Sequence, residues 1–402
     1  MIRYLLAALC WGWLVWMTPG VGAQEWEEAA SSGLGRISFA TPEGLFIVQP
    51  LNSTRQTLMA DGDGLVNSMV WAADGQRLAV VKNFSEVVWV DPTTPRTHGV
   101  FVSSCPRPAN LEVAWPSDRS DLLIQQRCHA PDPNGQSQWD LFLVDATGQI
   151  TPLTALPALV ESDLYVAPDG QRIAYVANQR IYIQNLAGGA PQPLTQAPGL
   201  YSSAGSPLAW SPDGSQLAFY EGAYPYQKIN LIEVDTGQRR VLTPEAEFQI
   251  YRSRLVWSPD SQRIAFYQPA NPPLSNQEVI TLVQVATGER QIITRPGFYN
   301  AMSWAPDSQR LAFAAGSQIE QQTLFVFDIP SNRFTALTPQ PFQAILESRW
   351  TTQGDWIGFS AVALGDDLGT QTLYVVRPNA TGLTAVSQPN EYAYPFAWVP
   401  LP

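Results

Sequence analysis

Six aspartates recur in one setting along the 402-residue chain: Asp74, Asp118, Asp169, Asp213, Asp260 and Asp307. The clearest copies read LAWSPDGSQLAFY (208–220), LVWSPDSQRIAFY (255–267) and MSWAPDSQRLAFA (302–314). A carboxylate repeated in this way could ligate a metal, move a proton or cap a turn. Proline fixes φ at the second position of a tight turn, aspartate accepts local backbone N–H groups, and glycine or serine closes the hairpin. Spread one per unit, the six carboxylates cannot converge on one ion or substrate. The last copy reads TTQGDW (351–356), with Gln353 at the aspartate position. A turn tolerates that exchange and a catalytic carboxylate does not, so the aspartates are expected to be structural.

Other chemistry is sparse. There is no Gly-x-Ser-x-Gly elbow, and the only histidines, His98 and His129, fall in expected loop or outer-strand positions, where a catalytic triad would have to be built on one of them. DGDG (61–64) starts like a calcium loop but lacks the acidic residue near the twelfth position. Asp366-Asp367 reads as a solvated hairpin tip, and Gly33-x-Gly35 lacks the third glycine of a phosphate loop. No catalytic residue, metal or cofactor is expected, and the chain reads as a non-enzyme.

The elements that must position any site follow from composition and period. The chain is 45% hydrophobic and 14% charged, with 34 prolines, 28 glycines, 14 tryptophans and 14 tyrosines, which describes short aromatic strands joined by many turns. Its net charge is -12, and Lys82 and Lys228 are its only lysines, so no extended basic surface exists to neutralise nucleic-acid phosphates.

The tryptophan position recurs as Trp71, Trp115, Val166, Trp210, Trp257, Trp304, Trp350 and Trp398, at intervals of 44 to 51 residues. Each interval holds a tryptophan strand, the Asp turn, a Leu-Ala-Phe strand, a third strand such as INLIEV (229–234), a tight turn such as DTGQ (235–238) and a fourth strand. That is the period of four-stranded propeller blades. The first unit begins at ISFA (37–40) without a tryptophan strand, while the chain finishes on YPFAWVPLP, a tryptophan strand with nothing after it. Together they complete one blade. The fold expected is therefore all-β, a single propeller over 33–402 with eight four-stranded blades, closed by the C-terminal strand. Seven blades is the alternative, should the unit around Trp115 be irregular.

Residues 1–23 carry one arginine, an apolar run from Tyr4 to Met17 and a small-residue site at Val21-Gly22-Ala23. They read as a secretory signal peptide, with a retained anchor as the alternative. Residues 24–32 are expected to form a short linker. No transmembrane segment is expected after signal cleavage. Cys105 and Cys128 are then the only cysteines, and in an oxidising compartment they are expected to form one disulfide.

WSPDGSQLAFY followed by INLIEVDTGQRRVLT resembles the TolB-like (WD-like) β-propeller repeat, and the resemblance covers the whole mature chain. It implies a secreted or periplasmic bacterial protein. The chain departs from TolB in having more blades than six and no separate N-terminal α/β domain, which puts a role in the Tol-Pal system in doubt.

In a four-stranded meander the Asp turns share one face with the third-to-fourth turns. The other face carries the long, variable second-to-third loops and the blade-to-blade links. Those links hold Tyr201, Tyr251, Arg252, Phe298, Tyr299 and Tyr392, residue types enriched at interface hot spots. This face is the candidate binding surface, on which a non-catalytic scaffold, expected to be a monomer, contacts a protein or envelope polymer. The alternative is a small-ligand, sugar or peptide sensor, or a hydrolytic enzyme, using the channel mouth with carboxylates such as Glu245, Glu247 and Glu391.

Overall fold

The computed structural model describes residues 35–50, 54–60, 62–105, 108–115, 120–129, 137–153, 164–187, 189–196, 198–199, 208–222, 227–243, 255–270, 277–367, 370–389 and 391–399. The expected signal peptide and linker lie outside them, as do Asp118, Tyr201, Glu245, Glu247, Tyr251 and Arg252.

Each unit folds as a four-stranded antiparallel sheet, and there are eight. Blade 1 holds β1 (Ile37–Thr41), β2 (Gly44–Gln49) and β3 (Thr54–Met59). Blade 2 is β4 (Val66–Trp71), β5 (Leu78–Lys82), β6 (Glu86–Asp91) and β7 (Arg96–Val102). Blade 3 is β8 (Pro108–Ala114), β9 (Leu122–His129), β10 (Ser137–Val144) and β11 (Ile150–Leu153). Blade 4 is β12 (Tyr165–Val166), β13 (Arg172–Ala177), β14 (Arg180–Asn185) and β15 (Gln192–Pro193). Blade 5 is β16 (Ala209–Trp210), β17 (Gln216–Glu221), β18 (Lys228–Glu233) and β19 (Arg239–Val241). Blade 6 is β20 (Val256–Trp257), β21 (Arg263–Pro269), β22 (Glu278–Gln284) and β23 (Arg290–Ile292). Blade 7 is β24 (Phe298–Trp304), β25 (Arg310–Gln318), β26 (Gln321–Asp328) and β27 (Arg333–Ala336). Blade 8 is β28 (Ala344–Trp350), β29 (Ile357–Val362), β30 (Thr372–Val376) and β31 (Thr384–Ala385).

The last strand, β32 (Phe396–Trp398), pairs with β1 as the innermost strand of blade 1, with Phe39 opposite Phe396 and Ile37 opposite Trp398. The ring therefore closes as the sequence implies, with eight blades, and the Trp115 unit contributes a full sheet. Closure removes the unpaired sheet edges that an open array would leave.

The core lies between blades. Ala218, Tyr220 and Leu231 of blade 5 pack with Trp257, Ile264 and Phe266 of blade 6, and equivalent clusters join the other pairs. Fully burying one such side chain contributes about 1.5–3 kcal/mol. Cys105, just after β7, is bonded to Cys128 of β9, with Cα atoms 5.6 Å apart.

Polar contacts repeat with the same period. Trp210, Trp257, Trp304, Trp350 and Trp398 each donate their indole N–H to a carbonyl on the preceding blade's inner strand: Tyr165, Ala209, Val256, Ser303 and Arg349. Trp71 reaches its counterpart through a relay, donating to Ser38 Oγ, which donates to the Ala397 carbonyl. Trp115 instead donates to the Ser120 carbonyl of its own turn. On the opposite face, in blades 4 to 8, the Thr or Ser two residues past the fourth strand accepts a third-strand N–H: Thr195 from Ile181, Thr243 from Ile229, Thr294 from Ile280, Thr338 from Leu324 and Ser387 from Leu373.

Candidate functional site

The aspartate turns do what their composition requires. Asp74, Asp169, Asp213, Asp260 and Asp307 each accept the backbone N–H two residues on, at 2.8–3.0 Å. In blade 8 the Thr351 hydroxyl takes the place of Ser211, and Asp355 supplies the carboxylate that Gln353 lacks. Gly354 there has φ +72°, and a Cβ on it would meet Arg310 Nη2 at 3.0 Å.

These turns also latch blade to blade. Ser261 and Ser308 accept the N–H groups of Asp213 and Asp260, while Arg172, Arg263 and Arg310 donate to carbonyls of Gly214, Ser308 and Gly354. Arg310 also lies over the Trp350 ring, 4.9 Å from its centroid. Ser261, Ser308, Arg172, Arg263 and Arg310 of this face are thus committed to holding the ring together.

The opposite mouth is different. A cavity of about 620 Å³ opens where blades 6, 7, 8 and 1 meet. Its walls are the upstream halves of the inner strands: Val256, the run Asn300-Ala301-Met302, and the run Leu346-Glu347-Ser348. Tyr392 and Tyr394 come from the link into β32, and Tyr267 and Gln371 from the flanks of second-to-third loops. All these positions lie toward the variable-loop face, because the inner strands run from that face to the Asp turns.

Two bulges shape the wall. The β24–β25 register shifts between Asn300 and Ser303, with Ala301 at φ +53°, and the β28–β29 register shifts between Ile345 and Glu347. A bulge re-aims side chains that strict alternation would direct elsewhere. Ser348 pins the first bulge, donating to the Ala301 carbonyl at 2.6 Å and lying 2.6 Å from Ser303 Oγ.

The link carrying the two tyrosines is built in. Ala393 N–H donates to the Gln371 carbonyl, and Tyr394 N–H to the Ala40 carbonyl. Glu391 accepts two hydrogen bonds from Arg55, whose guanidinium sits 3.4 Å from the Phe46 ring centroid.

Glu347 Oε1 takes Arg349, while Glu347 Oε2 and Gln371 Oε1 are buried with no hydrogen-bond partner among the described residues. Tyr267 stacks on Tyr299 at 6.4 Å, and burial with the nearby Glu278 carboxylate pushes its phenol well above the usual range. Burial likewise pushes the Glu278 carboxyl up to about 6.

Of the candidate binding residues, Tyr392 lines the cavity and is 38% exposed. Tyr299 packs between Tyr267 and Phe313 as a support behind the wall, and Phe298 starts β24, opposite Gly316. Glu391 is spent on its pairing with Arg55. His98 is exposed on β7, and His129 ends β9. Asp63 caps its own turn through the Ala60 N–H. Among the described residues, no group of three or more His, Cys, Asp and Glu side chains could hold a metal.

Glu347, Gln371, Asn300 and Tyr394 escaped the sequence reading. A carboxylate three residues before an inner-strand tryptophan, in AILESRW (344–350), was the available signal for the first.

No family model matches the chain, and no curated protein matches it. Solved structures do. Dihydro-heme d1 dehydrogenase NirN is 16% identical, with 92% of this chain and 76% of that one covered at a TM-score of 0.62. A eukaryotic initiation factor is 11% identical over 92% of this chain and 99% of its own, at 0.60. TolB from Acinetobacter baumannii is 16% identical over 82% and 81%, at 0.42, an overlap that carries no argument. Identities this low show the fold alone. A dehydrogenase and an initiation factor share it, so architecture does not separate catalysis from binding.

Proposed function

We propose that this chain is a secreted or periplasmic TolB-like propeller that acts as a non-catalytic scaffold, binding a protein or envelope polymer through its variable-loop face. One observation carries the reading: the channel mouth on that face opens into a cavity built from four blades, whereas the Asp-turn face spends its side chains on blade-to-blade latches. Variable loops on a rigid frame are where recognition residues gather. The Cys105–Cys128 bond supports an exported protein, since such bonds persist in oxidising compartments.

A second reading, a small-ligand sensor or hydrolase at the same mouth, draws on the cavity, whose volume falls in the range of small-molecule sites.

A photo-crosslinking amino acid placed at Tyr392 or at Asp307 tests the proposal in an envelope extract. The scaffold reading expects a discrete high-mass adduct from position 392 and none from 307. Adducts from 307 alone, or from neither position, overturn it.

A further inference from the structure

The cavity wall holds two acceptor atoms that have no donor among the described residues, one on Gln371 and one on the Glu347 carboxylate, which pairs with Arg349 through its other oxygen. Gln371 is 7% exposed, and its Oε1 faces no donor. Glu347 Oε2 also has no donor, on a half-buried carboxylate whose other oxygen already holds Arg349. Among the described residues, no lysine or arginine lines the space. A buried acceptor without a donor destabilises the protein, more so when charged, so a ligand that supplies N–H groups recovers what the empty site loses. At the rim, Tyr392 and Tyr394 are 38% and 41% exposed, and tyrosine faces attract cations. The chain's net charge of -12 draws positive ligands toward it.

We propose that this cavity is a binding site for the positively charged side chain of a lysine or arginine on an extended peptide segment, with Glu347 and Gln371 accepting its N–H groups and Tyr392 and Tyr394 flanking its aliphatic stem. The proposal rests on the scaffold reading and names what the partner inserts. A neutral polyhydroxyl ligand is the competing occupant, and the test separates the two.

Calorimetric titration of the full chain with acetyl-Gly-Lys-Gly-amide, acetyl-Gly-Arg-Gly-amide, the norleucine analogue and maltotriose supplies the arms. The expected result is binding of one or both basic peptides, none of the norleucine peptide, and affinity that falls as salt rises. Glu347→Gln should weaken binding by about tenfold or more and Gln371→Leu by several-fold, on the scale of charged and neutral hydrogen bonds. Arg349→Gln, which releases the other Glu347 oxygen, should leave affinity equal or tighter. Glu289→Gln, on a distant exposed turn, should change nothing. Equal binding of the norleucine peptide, binding of maltotriose alone, or no binding by any probe would overturn the proposal. Should the position-392 adduct persist undiminished in Glu347→Gln and Gln371→Leu chains, the scaffold reading stands and the basic-side-chain proposal falls.

Discussion

Arg55, on the outer strand of blade 1, grips Glu391, in the link leading into β32, through two hydrogen bonds of 2.5 and 3.0 Å. The pair ties the segment that displays Tyr392 and Tyr394 to the first blade. The Glu391 side chain is only 10% exposed, so removing its partner strands a carboxylate in a poorly solvated place. Arg55→Met is therefore expected to lower stability by about 2–3 kcal/mol. Glu391→Gln in that background should recover part of the loss. Urea midpoints for the two single variants and the double variant give the coupling, and additive effects would refute it.

The indole latches predict unequal tryptophans. Trp257→Phe leaves the Ala209 carbonyl, between blades, without its donor and should cost about 1–3 kcal/mol. Trp115 donates its indole N–H to the Ser120 carbonyl and not to a neighbouring blade, and phenylalanine keeps a ring against Trp89, so Trp115→Phe should cost less than about 1 kcal/mol. Urea unfolding checks the ranking.

The disulfide closes a segment of 23 residues. On the chain-entropy account, replacing both Cys105 and Cys128 by serine should reduce stability by about 3 kcal/mol. Denaturation of that variant and of the reduced parent should agree. If neither differs from the oxidised parent, the bond contributes nothing.

Glu278 gives a pH dependence with a definite sign. Its folded value, raised to about 6 from 4.5, means the folded chain holds the proton more tightly than the unfolded one. Its contribution to stability thus declines as pH rises from about 4.5 to about 6 and stays low above that. Glu278→Gln removes the effect, so the variant should melt higher than the parent above pH 6. The difference should vanish below about pH 4.5. Melting curves across that window decide, and a constant difference would contradict the burial argument.

The blades were legible because most of them repeat the same few constraints: an inner-strand tryptophan, an aspartate turn and a continuously buried second strand. Even the latches were written in the sequence, as an arginine three residues after Asp74, Asp169, Asp260 and Asp307. Their meaning was not, since only the ring brings Arg310 to the Gly354 carbonyl. The cavity was hidden for a further reason. It depends on bulges at Ala301 and Leu346, and one inserted residue changes which way Asn300 and Glu347 face without altering the hydrophobic pattern. Tyr392 could be named from its link, whereas Gln371 became a wall residue only through the pairing of its backbone carbonyl with Ala393.

Ser38 and Ala397, joined by a hydrogen bond at the seam of blade 1, are 359 residues apart. During synthesis the edge of β1 emerges 359 residues before its neighbour, so the seam has to wait for that length of chain. Closing so large a loop costs on the order of 5 kcal/mol in chain entropy, repaid only when β32 docks. Until then blade 1 is a three-stranded template with an open side, able to recruit the wrong strand from another copy. The seam that stabilises the finished ring is thus also the point at which its assembly is most exposed to error.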